Sequence, residues 1–246
     1  MKIAVAGGTG VVGAYAVSAL AAGGHDVVSL SRASGVDVVS GVGLANALRG
    51  VDVVVDATSI GTGKAEESVA FFTAATANLL AAESAAGVKH HVVISIVGAA
   101  KTNLAYYAGK KVQEDLVMAG SVPWSMIRTT QFYEFVHQVI QGGKLGPLQI
   151  VPTMPSQPLA ASEVGAALAE LAVGKPVGLV EDLAGPSVER MSDLVRRYLR
   201  ATGSRRPVIE ARVPGAWWKA LREGAMLPIG PVRLGQQTFD EWLREQ

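Results

Sequence analysis

Three glycines, Gly7, Gly10 and Gly13, stand in G-x-x-G-x-x-G spacing directly after the short apolar run Lys2-Ile3-Ala4-Val5-Ala6. That run reads as a strand, and Val11 to about Ala22 reads as a helix. Gly7 lets the chain turn sharply off the strand, Gly10 lets backbone amides come close to a diphosphate, and Gly13 lets the helix pack closely on the sheet. The positive end of the helix then faces the phosphates, with Thr9, Val11 and Val12 in the loop and first turn. A second strand, Asp26-Val27-Val28-Ser29-Leu30, completes a βαβ unit. The pattern implies a dinucleotide phosphate site.

The second strand ends at Leu30-Ser31-Arg32, where a fold of this kind reads the adenosine ribose. A carboxylate there would accept from both ribose hydroxyls of NAD. Arg32 beside the hydroxyl of Ser31 suits the extra phosphate of NADP, because a guanidinium stays charged and offers paired donors. The expected cofactor is NADP(H) in preference to NAD(H). Asp37 lies in the next segment and away from the strand tip.

Downstream, strands and helices alternate. Val36–Val39 reads as a short strand, 44–49 as a short helix, and Val51–Asp56 as a buried strand. A helix over about 66–86 places Phe71, Phe72, Ala75, Leu79 and Ala82 at helical spacing, which is core packing. A strand at 91–97, a helix at 103–119 and a strand at 124–128 follow. Buried strands separated by helices predict a parallel sheet with right-handed crossovers, a doubly wound Rossmann α/β fold. After Gln131 the glycines and prolines from Gly142 to Pro158 break the rhythm. Helices resume at 161–173, 191–201 and 239–244. The expected division is a Rossmann core over 1–130 and a substrate-side lobe over 131–246 that shares its core.

Charge and composition remove other classes. Lysine and arginine total 22 against 21 for aspartate and glutamate, so no bulk field recruits nucleic acid or an acidic membrane. Cysteine is absent, which removes disulfides, thiolate catalysis and cysteine metal sites. The four histidines form no ligand set, since His90 and His91 would face opposite sides of a strand while His25 and His137 are isolated, so no metal is expected. No Gly-x-Ser-x-Gly elbow is present, which argues against hydrolysis. No signal segment and no bilayer-spanning apolar run are read, and a cytoplasmic protein is expected.

The glycine loop, the link from Ala86 to Gly98, the helix Tyr106-Tyr107-Ala108-Gly109-Lys110-Lys111-Val112-Gln113-Glu114 and the segment from Pro123 to Phe132 together resemble the NmrA-like, atypical short-chain dehydrogenase/reductase family. The resemblance spans about residues 1–245. It implies a Rossmann sheet, a nicotinamide cofactor and a C-terminal substrate lobe. Tyr106 and Lys110 stand in Y-x-x-x-K spacing, on one helix face a turn apart. In the superfamily such a lysine holds the nicotinamide ribose and lowers the phenol pKa, and the tyrosine moves a proton. By the resemblance Lys110 is the cofactor-side lysine and Lys111 points outward. An alternative for Tyr106 is helix packing. Ser95 is the hydroxyl that remains in the strand, while Val97 occupies the position of the superfamily serine, which favours hydride delivery to an acceptor needing little acid help.

Thr58 and Ser59 follow a strand end and are either groove residues or turn residues. Thr130, Gln131 and Phe132 leave the sheet at its carboxyl edge and are expected to flank the nicotinamide. Phe132, Tyr133 and Phe135 offer flat walls to a conjugated substrate, or fill core, and Trp217 and Trp218 raise the same choice.

Two functions follow. One is an NADPH-dependent reductase of a small conjugated, quinone-like or carbonyl acceptor. The other is an NADP-binding redox sensor without turnover, whose lobe serves as a protein surface. The helices at 66–86 and 103–119 could pair two subunits or pack within one.

Overall fold

Val53–Asp56 and His90–Val93 are buried on both faces, as strands of a parallel sheet covered by helices must be. The computed structural model describes residues Met1–Gln246. In chain order the first elements are β1 (Lys2–Ala6), α1 (Val11–Ala22), β2 (Asp26–Leu30), α2 (Leu44–Ala47), β3 (Val53–Asp56) and α3 (Ala65–Ala86). Then come β4 (His90–Ile96), α4 (Ala105–Ala119), β5 (Trp124–Thr129), α5 (Phe135–Gly142), β6 (Lys144–Leu145), β7 (Leu148–Pro152) and β8 (Pro155–Ser156). They are followed by α6 (Ala161–Val173), β9 (Gly178–Leu179), β10 (Asp182–Ala184), β11 (Glu189–Arg190) and α7 (Met191–Ala201). The last are β12 (Val208–Ala211), α8 (Ala216–Arg222), β13 (Val232–Leu234) and α9 (Phe239–Arg244). The chain forms two units, Met1–Arg128 with Ser162–Glu181, and Thr129–Ala161 with Asp182–Gln246.

In the first unit the strands run β2-β1-β3-β4-β5, with β9 also on β5. Pairings β1–β2, β1–β3, β3–β4 and β5–β9 are parallel, for example Ala6 beside Leu30 on one side and Asp56 on the other. This is a Rossmann-type α/β fold. Its strand order reverses between β1 and β3, which opens a crevice at their carboxyl ends. Helices α3 and α4 approach closely through Gly109, where a Cβ would lie 2.2 Å from the Ser68 hydroxyl and 2.5 Å from the Ser68 carbonyl oxygen.

Three expectations change. Val36–Val39 forms no strand: Arg32–Ser34 is a 3-10 turn, and the Asp37 carboxylate accepts from Val39 N–H (2.9 Å) and Ser40 Oγ (3.0 Å), closing the segment on itself. Val36 is buried in the core and Val38 packs half-buried against it. The boundary near 130 marks the first crossing of the chain between units, but Ser162–Glu181 returns to the first unit, so the lobe is not continuous over 131–246. Gly165 of α6 fits against Tyr15 and Ala16 of α1, a Cβ there meeting the Tyr15 side chain at 2.4 Å, and β9 pairs with β5. A run of small residues does not announce such a return. Finally, α3 is long and apolar enough by length and composition alone to cross a bilayer. Its buried face, including Phe72, Ala75, Leu79 and the charged Glu83, packs on protein.

In the second unit, β7 lies between antiparallel β6 and parallel β12, β8 pairs with β11, and β10 pairs with β13 and, through Leu183, with Thr129. An aromatic cluster of Tyr133, His137, Tyr198, Phe239 and Trp242 fills its core. Helix α9 begins at a capping box, Thr238 accepting from Glu241 N–H and Glu241 accepting from Thr238 N–H.

Candidate functional site

The glycine loop adopts the geometry its spacing predicts. Gly7 has φ +75° and donates its N–H to the Leu30 carbonyl at 3.3 Å, and a Cβ on it would lie 2.6 Å from the Ala57 carbonyl oxygen. A Cβ on Gly13 would come within 2.1 Å of the Gly7 oxygen, so α1 seats on the loop only because that residue has none. Gly10 differs. It precedes α1, it is exposed, and its Cβ would meet nothing nearer than the Gly7 oxygen at 3.2 Å. The space above it is open. Thr9 and Val11 are exposed there, whereas Val12 is buried beneath. No side chain caps α1, and no acidic residue stands in its first turn, so the positive helix end is not neutralised from within. The motif spacing does not single out Gly8, yet a Cβ on it would lie 2.4 Å from the Ser29 hydroxyl.

At the tip of β2, Arg32 is exposed and makes no ion pair with protein. The Ser31 hydroxyl caps the 3-10 turn, accepting from Ser34 N–H at 3.3 Å, so its first role is to shape the loop that presents Arg32. Asp37 is held below the usual carboxylate range by the Val39 N–H and Ser40 hydroxyl, with Arg32 adding a weaker attraction. Its oxygens are spent on its own turn.

At the ends of β3 and α4 a second group of residues assembles. The Tyr106 hydroxyl lies 3.0 Å from the exposed Ser59 hydroxyl, and its ring packs edge-on to Phe72 with centroids 5.5 Å apart. Burial pushes the phenol up to about 12, against the Ser59 hydrogen bond and with a small contribution from Asp56. Ala105, immediately before it, has φ +49°, the one non-glycine residue with positive φ. Such a backbone costs about 1 kcal/mol and fixes where the Tyr106 ring begins.

Lys110 is on the expected face but does not meet the phenol. It is 2% exposed, donates to the Ile94 carbonyl at 2.6 Å and to Gln113 Oε1, and stands 4.8 Å over the Phe72 ring. Gln113 in turn donates to Asp56 at 2.8 Å, and Asp56 accepts from Thr58 N–H and Oγ1. Burial brings Lys110 down to about 8, although Asp56 and Glu114 oppose the shift. No hydrogen bond joins Lys110 to Tyr106, and the lysine does not lower the phenol pKa. The expected proton-transfer pair is therefore replaced by a Tyr106–Ser59 hydroxyl pair and a separate internal chain, Lys110–Gln113–Asp56. The reason is that Lys110, under the sheet-facing side of α4, finds a strand carbonyl within reach. Lys111 does point outward, to Asp115 at 2.6 Å.

Ser95 is fully buried and donates to Glu114 at 2.5 Å, and Glu114 also binds Arg128 through Nε (2.8 Å) and Nη2 (2.6 Å). Its hydroxyl serves this ion pair and is not presented to a cofactor, which corrects its expected role. Val97, 2% exposed, is likewise covered, and Thr58, 6% exposed, spends its hydroxyl on Asp56. Of the two groove candidates after β3, Ser59 is the exposed one. The buried partners are signalled weakly: Asp56 as a carboxylate ending the apolar strand β3, and Gln113 and Glu114 as polar residues of α4 on the side that meets the sheet.

A family model described as NAD(P)H-binding matches residues 7–143, which takes in the glycine loop, Arg32, Ser59, Tyr106 and Lys110. The chain belongs to this NAD(P)H-binding family. No curated protein matches the sequence. Solved structures share the fold of this NAD(P)H-binding chain at low identity. One is MoeE5 in complex with UDP-glucuronic acid and NAD, at 17% identity and TM-score 0.74, covering 100% of this chain and 97% of that one. Another is a short-chain dehydrogenase/reductase superfamily protein from Agrobacterium tumefaciens with bound NAD, at 18% and 0.69, covering 100% and 95%. A third is the Citrobacter sp. triphenylmethane reductase complexed with NADP(H), at 16% and 0.67, covering 94% and 93%.

In the second unit, the expected nicotinamide-flanking residues are mostly occupied. Thr130, 2% exposed, donates its hydroxyl to the Gln157 carbonyl at 2.5 Å, and Gln131 accepts from Ser156 at 2.8 Å. Phe132 bridges to Leu159 and is half-buried. Tyr133 donates to the Gln237 carbonyl inside the aromatic core. Phe135 instead lines a cavity.

Proposed function

We propose that this NAD(P)H-binding chain is an NADP(H)-dependent oxidoreductase that reduces a small conjugated or carbonyl acceptor. The observation that carries the coenzyme choice is Arg32, exposed and unpaired at the ribose-reading strand tip, while the nearby Asp37 carboxylate is turned onto Val39 and Ser40. A ribose without the extra phosphate would find no free carboxylate there. The amides of the loop and of the first turn of α1 hold the diphosphate, with Gly10 leaving the approach open. When bound, the coenzyme supplies hydride.

The chain's own part is to bind, orient and protonate. Tyr106, with its pKa at about 12, keeps its proton at neutral pH and acts as a donor, and Ser59 holds the phenol oxygen at 3.0 Å. Asp56, Gln113 and Lys110 stiffen the helix and strand beneath that pair. Calorimetry tests the coenzyme choice directly. Arg32→Ala weakens NADPH by about 10- to 100-fold, the worth of charge-assisted hydrogen bonds, and NADH much less. Equal weakening of the two overturns the assignment.

A second reading, a sensor that binds NADP without turnover, draws support from Lys110 and Ser95 being consumed by internal hydrogen bonds. NADPH oxidation followed by absorbance against a panel of quinones and aldehydes separates the two: consumption by none, with tight binding retained, favours the sensor.

A further inference from the structure

The second unit contains a cavity of about 590 Å³, within the size range of small-molecule sites. Three elements build it for physical reasons visible in their sequences. Helix α5 presents Phe135, Val139 and Gly142 at i, i+4 and i+7 spacing, one stripe of a helix whose other side buries Val136 and Ile140. On β7, Gln149 and Val151 are buried, and Ile150 and Pro152, on the opposite face, line the cavity. The third wall is α8, which supplies Trp217, Trp218 and Leu221. The lining is therefore aliphatic on β7, mixed aliphatic and aromatic on α5, where Gln138 adds one amide, and mostly aromatic on α8.

One charge breaks that apolar lining. Lys144 of β6 is the single charged residue among those around the cavity, is exposed at its rim, forms no ion pair, and donates to Gln141 Oε1 at 2.8 Å. Flat walls of tryptophan and phenylalanine favour a planar ring over a branched chain, since stacking and edge contacts add to simple burial. A lone ammonium at the rim favours an anionic group over a cationic one.

We propose that this cavity binds a planar, fused-ring aromatic carboxylate, with the ring between α5 and α8 and the carboxylate toward Lys144. The site lies wholly within the second unit and does not rest on the coenzyme reading.

The test is isothermal calorimetry on the full chain without nucleotide, using 2-naphthoate and, as its charge-reversed counterpart, 2-naphthylmethylammonium. Naphthoate binds at one site and the ammonium compound binds more weakly. Lys144→Ala weakens naphthoate by about two- to fivefold, the range of an exposed ion pair, and narrows the preference between the two probes. Gly142→Phe is the filling variant: a Cβ at Gly142 meets no atom within 4 Å, so the fold accepts it while the ring takes up cavity space. It weakens naphthoate by more than about tenfold at an unchanged unfolding midpoint. Should Gly142→Phe lower the midpoint, Ile150→Phe provides the same measurement from the strand side. Absence of naphthoate binding, equal affinity for both probes, or full affinity in the folded filling variant overturns the proposal.

Discussion

Replacing Lys110 by methionine is the perturbation that most directly examines the buried polar chain. Lys110 is 2% exposed and its ammonium titrates at about 8 in the folded protein, against 10.5 for an unperturbed lysine. A difference of about 2.5 units corresponds to about 3 kcal/mol between charged and neutral forms. The folded pKa is depressed, so below pH 8 both states are protonated and the full cost of the buried charge is present. Between pH 8 and 10.5 the unfolded chain binds more protons than the folded one, and stability rises with pH. Linkage over pH 7 to 9.5 gives a gain of about 2 kcal/mol from this group alone. Methionine cannot titrate, and it fills a similar volume, although it leaves Gln113 Oε1 short of a donor at about 1–3 kcal/mol. Urea unfolding monitored by circular dichroism, run on both proteins at several pH values, isolates Lys110: the wild-type curve climbs relative to the variant by about 2 kcal/mol. A constant difference across that range would refute the argument that the ammonium is buried against its own desolvation.

Other outcomes follow from the same geometry. Gly10→Val leaves the fold intact, since only the Gly7 oxygen is near, but blocks the diphosphate and abolishes binding of NADPH and NADH in calorimetry; retained affinity removes Gly10 from the site. Gly13→Ala, by contrast, drives a methyl to 2.1 Å from the Gly7 oxygen and costs about 1–3 kcal/mol in unfolding experiments. Tyr106→Phe keeps nucleotide affinity and slows turnover by about 10²-fold if the phenol donates, with no pH dependence from this group below about pH 11, whereas unchanged rates assign the ring to packing. Glu114→Ala strips Arg128 and Ser95 of a shared buried partner and destabilises by about 3 kcal/mol, read as a lower urea midpoint.

Much of the first unit was legible because its signals are local. The glycine spacing, the β-branched runs and the helical stripes each depend on neighbours within one turn or one strand, and α1, β2 and α6 of that unit, like α7 and α9 of the second, occupy the residues their patterns predict. Val36–Val39 misleads for the same reason: its β-branched residues read as a strand, but Asp37 offers the backbone a competing turn. Side-chain placement was legible only where a residue is set by its local backbone or stays exposed. Gly7, Gly10, Gly13 and Arg32 are of that kind. Ser95, Thr58 and Lys110 are not, because a buried hydroxyl or ammonium takes whichever acceptor the fold brings nearest, and Glu114, Asp56 and the Ile94 carbonyl lie 19, 2 and 16 residues away in the chain.

From the chain of residues alone come the glycine turn, the βαβ start, the parallel order of strands and helices, and the exposed arginine just past β2, since each is set by short-range sterics and periodicity. Tertiary structure decided which hydroxyl faces Tyr106, where the Lys110 ammonium rests, that Ser162–Glu181 rejoins the first unit, and that Phe135 shares a cavity with Trp217 and Trp218. Those outcomes depend on packing between segments distant in sequence. A side chain's partner there is chosen by proximity and by the cost of leaving a buried polar group unpaired, and neither quantity is written in the local pattern.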